Sequence, residues 1–208
     1  MNLIKALHWR YAVREFSSDS IAPEQLQQLL EATRLSASSY GLQPYHLLVI
    51  ESPRVRQQLV EFSFGQDKVA NCSHLIIFAA HTNVGDATVD RYIQQFSAVR
   101  EVAPTQLHNM AQHYKAALAQ MNNAQRQEWA HQQAYIALGN LLTCAALMEI
   151  DTCPMTGIEA EGYDWVLGLR EKNLTTTAVC PIGKRHPQDR TAQERKVRFE
   201  LQDMVTRL

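Results

Sequence analysis

Between Asp86 and Glu149 this sequence carries no good strand pattern, only helical ones, while strand-length apolar runs lie before and after that stretch. His46 to Glu51 and His74 to Thr82 precede it and Thr175 to Ile182 follows it. All three are short and rich in β-branched residues, as expected of central strands. Strands interleaved with helices at such irregular intervals favour an α+β fold, with a small parallel α/β sheet as the alternative.

The helices announce themselves locally. Asn2 to Trp9 reads as a short helix that the basic, partly β-branched stretch Arg10 to Phe16 should break. Pro23 suits a first helical position, and Leu26, Leu29, Leu30 and Thr33 follow at helical spacing, which predicts a helix over 23–35 and a loop over 36–44. Another helix is expected to begin near Pro53, a further one at Pro104, and the Gln-rich segment near Asn122 interrupts another. Tyr135, Leu138, Leu141, Leu142, Ala145 and Ala146 form the apolar stripe of a central helix, on which Gly139 would admit a close neighbour. After Gly183 the chain turns polar, with seven Lys or Arg and too few apolar residues to build a core of its own. With 208 residues, no repeat and no linker, residues 1–208 are read as a single domain.

Charge narrows the function classes. Lys plus Arg number 20 against 21 Asp plus Glu, so a net charge of -1 leaves no electrostatic footprint for nucleic acid or an acidic membrane. No apolar run approaches the roughly 20 residues that span a bilayer, and the opening Met1-Asn2-Leu3-Ile4-Lys5 has no signal-peptide core, so a cytoplasmic protein is expected. Cys72, Cys144, Cys153 and Cys180 form no CxxC pair and are expected as reduced, mostly buried thiols. There is no HExxH, and His108 and His113 fall on different helix faces, so no metal site is expected. Neither G-x-G-x-x-G, nor G-x-x-x-x-G-K-[ST], nor G-x-S-x-G occurs, which removes the usual devices for dinucleotide, P-loop and hydrolase chemistry.

Four segments could carry chemistry. Arg10 and Arg14 flank a helix end, and two guanidiniums four residues apart suit a phosphate. Ser36 to Pro44 offers hydroxyls, a permissive glycine and a Gln in one loop. Pro154-Met155-Thr156-Gly157-Ile158 can expose a backbone N–H to a ligand, and Lys196-Val197-Arg198 can aim two cations at one anion if extended. Each segment taken alone also reads as solvated surface or plain connection.

In order, these segments resemble the flavin contacts of the FMN-dependent nitroreductase superfamily, most closely its oxygen-insensitive nitroreductase and luminous-bacterium flavin reductase branch. The resemblance runs from about Ile4 to Arg198. It is carried by R-x-x-x-[KR]-x-[FY] at Arg10 to Phe16, S-x-S-S-x-x-x-Q-P at Ser36 to Pro44, Gln133 to Asn140, and K-x-R at Lys196 to Arg198. It implies a nitroreductase-like fold, a mostly antiparallel sheet flanked by helices, in a homodimer with FMN at the subunit interface. Arg10, Tyr11, Ala12 and Arg14 would hold the FMN phosphate and flavin edge, joined at the phosphate by Lys196 and Arg198. Ser38, Ser39 and Gly41 would come from the other subunit, Gln66 and Lys68 would meet the pyrimidine edge, and the backbone of Met155, Thr156 and Gly157 would lie at the N5 side. Residues 86–130 would form a variable lid, with Tyr114 and Phe96 as candidate walls, and residues 184–208 an arm reaching the partner. Gly41 stands where this branch usually has Asn, Thr156 where Glu is common, and Ala12 where Ser is frequent.

The resemblance further implies hydride uptake from NADH or NADPH and ping-pong delivery to small oxidants such as a nitroaromatic, a quinone or free flavin, chemistry carried by the cofactor without any catalytic triad. Gly41 and Thr156 keep open a rival: a flavin-binding storage or sensing protein without turnover. A helical interaction protein, and specialised relatives that remove halide, fragment flavin or reduce pteridines, are the remaining alternatives.

Overall fold

The computed structural model describes residues 2–208. Helix α1 (Leu3–Trp9) starts where the Asn2 side chain accepts the Lys5 N–H at 2.9 Å, and α2 (Pro23–Arg34) starts on Pro23 as expected, burying Leu26, Leu29 and Thr33. After a short 3-10 turn at Ser39–Gly41 come β1 (Tyr45–Ile50), α3 (Pro53–Leu59), the single-turn α4 (Lys68–Asn71) and β2 (His74–His81). The long helical region resolves into α5 (Asp86–Arg100), α6 (His108–Ala119) and α7 (Asn123–Leu147). Pro104 opens a 3-10 turn rather than a full helix, and α6 follows it from His108. Asn122 breaks the helical run because it forms a capping box: its side chain accepts the Gln125 N–H while Gln125 reaches back to the Asn122 N–H. The chain closes with β3 (Asp151–Thr152), α8 (Ala160–Leu167), β4 (Leu174–Gly183) and α9 (Leu201–Met204).

The strands form one four-stranded sheet in the order β1-β2-β4-β3, every pair antiparallel. The α+β reading therefore holds and the parallel-sheet alternative falls. The register pairs Tyr45 with Ala80, His74 with Ile182 and Asp151 with Gly183. β2 is covered on both faces, which explains its unbroken apolar run. Ile76 and Phe78 pack with Cys180 and Ile182 against α2 and α7, while Leu75 and Ile77 pack with Val179 against Val13, Leu59, Val69 and Tyr163. Truncating Phe78 to Ala would cost about 3–5 kcal/mol by the usual scale for buried aromatics. A separate cluster around Leu42, Val89, Ile93, Leu107 and Leu118 joins α5 and α6 to Ala80 near the C-terminal end of β2.

One expectation about α7 needs correction. The buried face toward the sheet is made by Ala134, Ala137, Leu138, Leu141 and Ala145, whereas Tyr135 and Ile136 are exposed, Tyr135 keeping only a hydroxyl contact to the Thr177 carbonyl of the sheet at 3.5 Å. Outside the neighbouring backbone of its own helix, a Cβ built on Gly139 meets no heavy atom of the described residues within 4 Å, so none of them uses that glycine for a close approach. The tail after Gly183 does lack a core: Val197 is 85% and Phe199 81% exposed.

Candidate cofactor site

The site begins where α1 ends. Arg10 is extended (φ -70°, ψ 141°), and the next residues run alongside β3, with an Ala12–Thr152 parallel bridge and the Val13 N–H donating to the Thr152 carbonyl at 3.2 Å. The two-residue period of extended chain buries Val13 in the core and leaves Arg10, Ala12 and Arg14 on the opposite side. The C-terminal tail returns here. Lys196 Nζ donates to the Leu7 carbonyl at 2.8 Å and to the Arg10 carbonyl, acceptors that a helix end leaves without intrahelical partners. Arg10, Tyr11, Ala12, Arg14, Lys196 and Arg198 thereby line one cavity of about 330 Å³.

Its electrostatics are one-sided. Among the described residues none of these four cations is ion-paired, and Glu194, also on the wall, bridges to none of them. Burial and then the nearby Arg198 push the Arg10 guanidinium down, while burial followed by Arg10 and Arg198 does the same to the Lys196 ammonium. The Arg10 Nε is buried with no hydrogen-bond acceptor among the described residues. A buried orphan donor inside a ring of unpaired cations is the arrangement that an anion would complete.

A second cavity of about 450 Å³ shares Arg14 and adds Gln66 and Lys68, with Phe16, Asn71 and His186. Gln66 Nε2 donates to the Ser63 carbonyl at 2.9 Å and to the Gly157 carbonyl at 3.4 Å, tying this wall to the 155–157 loop. Within that loop the amides differ. The Met155 N–H is committed to the Val179 carbonyl at 2.8 Å, so it is not free for a ligand, whereas Thr156 and Gly157 are exposed and their N–H groups find no acceptor among the described residues. Ser38, Ser39 and Gly41 line neither cavity. They sit on the turn after α2, where the Ser39 N–H donates to Gln133 Oε1 at 2.8 Å and Ser38 Oγ accepts from the Gln43 N–H at 3.1 Å.

Residues 7–184 match the family model described as the nitroreductase family. The chain belongs to the nitroreductase family. Over 98% of its length it is 31% identical to the major NAD(P)H-flavin oxidoreductase of Aliivibrio fischeri, covering 97% of that protein. Over 99% of both chains it is 26% identical to the oxygen-insensitive NAD(P)H nitroreductase of Salmonella typhimurium. A protein of the nitroreductase type from Exiguobacterium sibiricum, solved in complex with FMN, has the same fold: TM-score 0.85 at 18% identity, over 100% of this chain and 98% of that one.

Other features of this nitroreductase-family chain had no signature in its sequence. Arg185 Nε and main-chain N–H each donate to the buried Asp151 carboxylate at 2.8 Å, and the guanidinium lies 4.1 Å from the Trp9 ring centroid and 4.6 Å from that of Tyr11. This stack backs the Arg10–Arg14 strand. Tyr11 is a wall rather than a free hydroxyl, because its O–H donates to Asp189 at 3.1 Å. Tyr114 joins an aromatic cluster, 4.7 Å from Tyr40 and 6.1 Å from Tyr92, while Phe96 lies under Arg100. At Gly41 (φ +71°) a Cβ would meet the Tyr92 ring at 2.9 Å, so the larger residue usual at this position would have to displace that ring. Burial pushes all four cysteine thiols up, Cys72 to about 12, so none is primed as a thiolate. Among the described residues no cluster could hold a metal ion and no helix is long and apolar enough to cross a membrane.

Proposed function

We propose that this chain is an NAD(P)H-dependent FMN oxidoreductase that works in the cytoplasm as a homodimer and reduces small acceptors such as nitroaromatics, quinones or free flavin. The observation that carries the reading is Arg10 Nε, buried and without an acceptor among the described residues, on a cavity whose other lining cations, Arg14, Arg195, Lys196 and Arg198, have no ion-pair partner among them either. One terminal phosphate fits that donor set, and no Gly-rich turn awaits a pyrophosphate. The NAD(P)H-dependent relatives and the FMN-bound neighbour support it.

FMN, when bound, would supply the redox chemistry, taking hydride from NADH or NADPH and passing electrons to the acceptor in a ping-pong cycle. The chain's own residues would bind and orient. Arg10, Arg14, Lys196 and Arg198 would hold the phosphate, Tyr11 and Ala12 would wall the flavin edge, and Gln66 and Lys68 would bond the pyrimidine edge. Thr156 and Gly157 would offer main-chain N–H groups toward N5, with Met155 anchoring their loop to β4. Ser38, Ser39 and Gly41, which line neither cavity of their own subunit, would serve the partner's site. The exposed Tyr135 and Ile136 of α7 and the exposed Val197 and Phe199 of the arm are apolar surface that a second copy would cover. The test is a visible spectrum of the purified protein followed by NADH and NADPH titration. Flavin bands bleached by either nucleotide and restored by a quinone or nitroaromatic are expected; a colourless protein, or bands that neither nucleotide bleaches, would overturn the reading.

A further inference from the structure

Asp189 lies on the polar tail, where an acid would ordinarily be solvated, yet it is only 3% exposed. Its carboxylate meets no cation within ion-pair distance among the described residues, although the cation-lined cavity adjoins it. It is satisfied by five hydrogen bonds, divided between its two oxygens. Oδ2 accepts the Tyr11 hydroxyl at 3.1 Å, the Arg14 N–H at 2.9 Å and the Glu15 N–H at 3.3 Å. Oδ1 accepts the Thr191 N–H at 3.0 Å and the Thr191 hydroxyl at 2.6 Å. One oxygen therefore grips the strand that carries Arg10 and Arg14, and the other grips the turn that opens the arm carrying Lys196 and Arg198. Burial alone would raise this carboxyl, but the bonds from Thr191, Arg14 and Glu15 together hold it below its ordinary range.

We propose that Asp189 is a positioning residue for phosphate recognition: its divided carboxylate sets the Arg10–Arg14 strand and the Lys196–Arg198 arm at the spacing that lets both grip one phosphate. The proposal rests on the FMN reading above and extends it to a residue that touches no ligand. The chemistry requires both oxygens as acceptors. An amide at this position has one acceptor oxygen and turns an NH₂ toward donors, so Asp189→Asn must release either the strand or the turn. The mutually repelling cations then drift apart, since Glu194, the carboxylate on the cavity wall, bridges to none of them.

The test separates phosphate recognition from general support of the fold by comparing FMN with riboflavin, which lacks the phosphate. Full-length protein stripped of flavin is titrated with each by flavin fluorescence, as wild type, as Asp189→Asn and as Tyr11→Phe, which removes a single donor to Oδ2. The wild type should favour FMN over riboflavin. In Asp189→Asn that preference should fall by about tenfold or more with riboflavin affinity little changed, and in Tyr11→Phe it should fall less. Equal losses for both ligands, or an unchanged preference in Asp189→Asn, would overturn the proposal while leaving the FMN reading intact. If Asp189→Asn does not fold, an unchanged preference in Tyr11→Phe overturns it instead. A wild type that binds riboflavin as well as FMN would sink the phosphate reading itself, and this proposal with it.

Discussion

The ammonium of Lys196 is hydrogen-bonded to the carbonyl oxygen of Arg10, a residue 186 positions away. Two positive side chains are thus held together by a neutral acceptor instead of a carboxylate, and their charge is left for something else to neutralise. That surplus is the physical basis of the predictions below.

Replacing Arg198 by Ala should weaken FMN retention about ten- to a hundredfold, the worth of one charge-assisted bond of roughly 1.5–3 kcal/mol. Among the described residues its guanidinium donates only to the adjacent Val197 carbonyl, at 2.6 Å, so little of the fold depends on it. Equilibrium dialysis of both proteins against FMN checks this, and equal affinities would remove the arm from the site.

A chain ending at Gly183 should lose both dimer and flavin, because it discards Lys196, Arg198 and the exposed apolar residues of the arm. Analytical ultracentrifugation with detection at flavin wavelengths reads both properties. A truncated dimer that keeps its flavin would contradict the arm's proposed role.

Thr156→Ala and Thr156→Pro should differ sharply. Alanine keeps the free main-chain N–H, whereas proline removes it at a loss of roughly 1–3 kcal/mol plus any strain. The preceding Met155 is bridged to Val179 and extended, a conformation that tolerates a following proline. Hydride adds at N5, and a main-chain donor facing that nitrogen would draw electron density toward it, so the proline variant should slow hydride uptake while the alanine variant stays close to wild type. Rapid-mixing reduction of FMN-loaded variants decides; a severe loss in Thr156→Ala would shift the role to the hydroxyl.

How much of this was legible in the sequence depends on distance along the chain. Helix α2 could be read because Pro23, Leu26, Leu29 and Thr33 are neighbours on one helix. The two-residue strand β3 could not, since only its pairing with Ile182 and Gly183 makes it a strand. The exposure of Tyr135 could not be read because α7 carries apolar residues around much of its surface, and periodicity does not say which of them the sheet covers. Arg10 with Arg14 and Lys196 with Arg198 were readable as pairs, but their meeting depends on the arm closing on the end of α1. Asp189 and the Asp151–Arg185 clamp look like ordinary polar residues until the fold buries them.

Stability should fall as the solution is acidified through the histidine range. Burial lowers the pKa of His74, His81 and His131 in the folded chain; Arg91 and His46 add to this at His81, whereas Glu51 at His74 and Glu128 and Asp164 at His131 oppose it without reversing it. Unfolded imidazoles take up protons near pH 6.5, where the folded ones remain neutral. Their contribution is therefore complete above about pH 6.5 and is lost progressively below it. Thermal unfolding from pH 8 to pH 5 should show a falling midpoint, and His131→Gln should flatten that fall; a midpoint that rises on acidification would contradict the sign.

The most direct test of the central claim, that the cavity around Arg10 holds the terminal phosphate of a flavin mononucleotide, is the chemical identity of whatever flavin the protein carries. Protein purified without added cofactor is denatured and the released chromophore is resolved by chromatography and mass spectrometry. FMN, close to one per subunit and largely absent from an Arg10→Ala, Arg198→Ala double variant that still folds, is the predicted result. Release of FAD, or full FMN occupancy in that double variant, would contradict it.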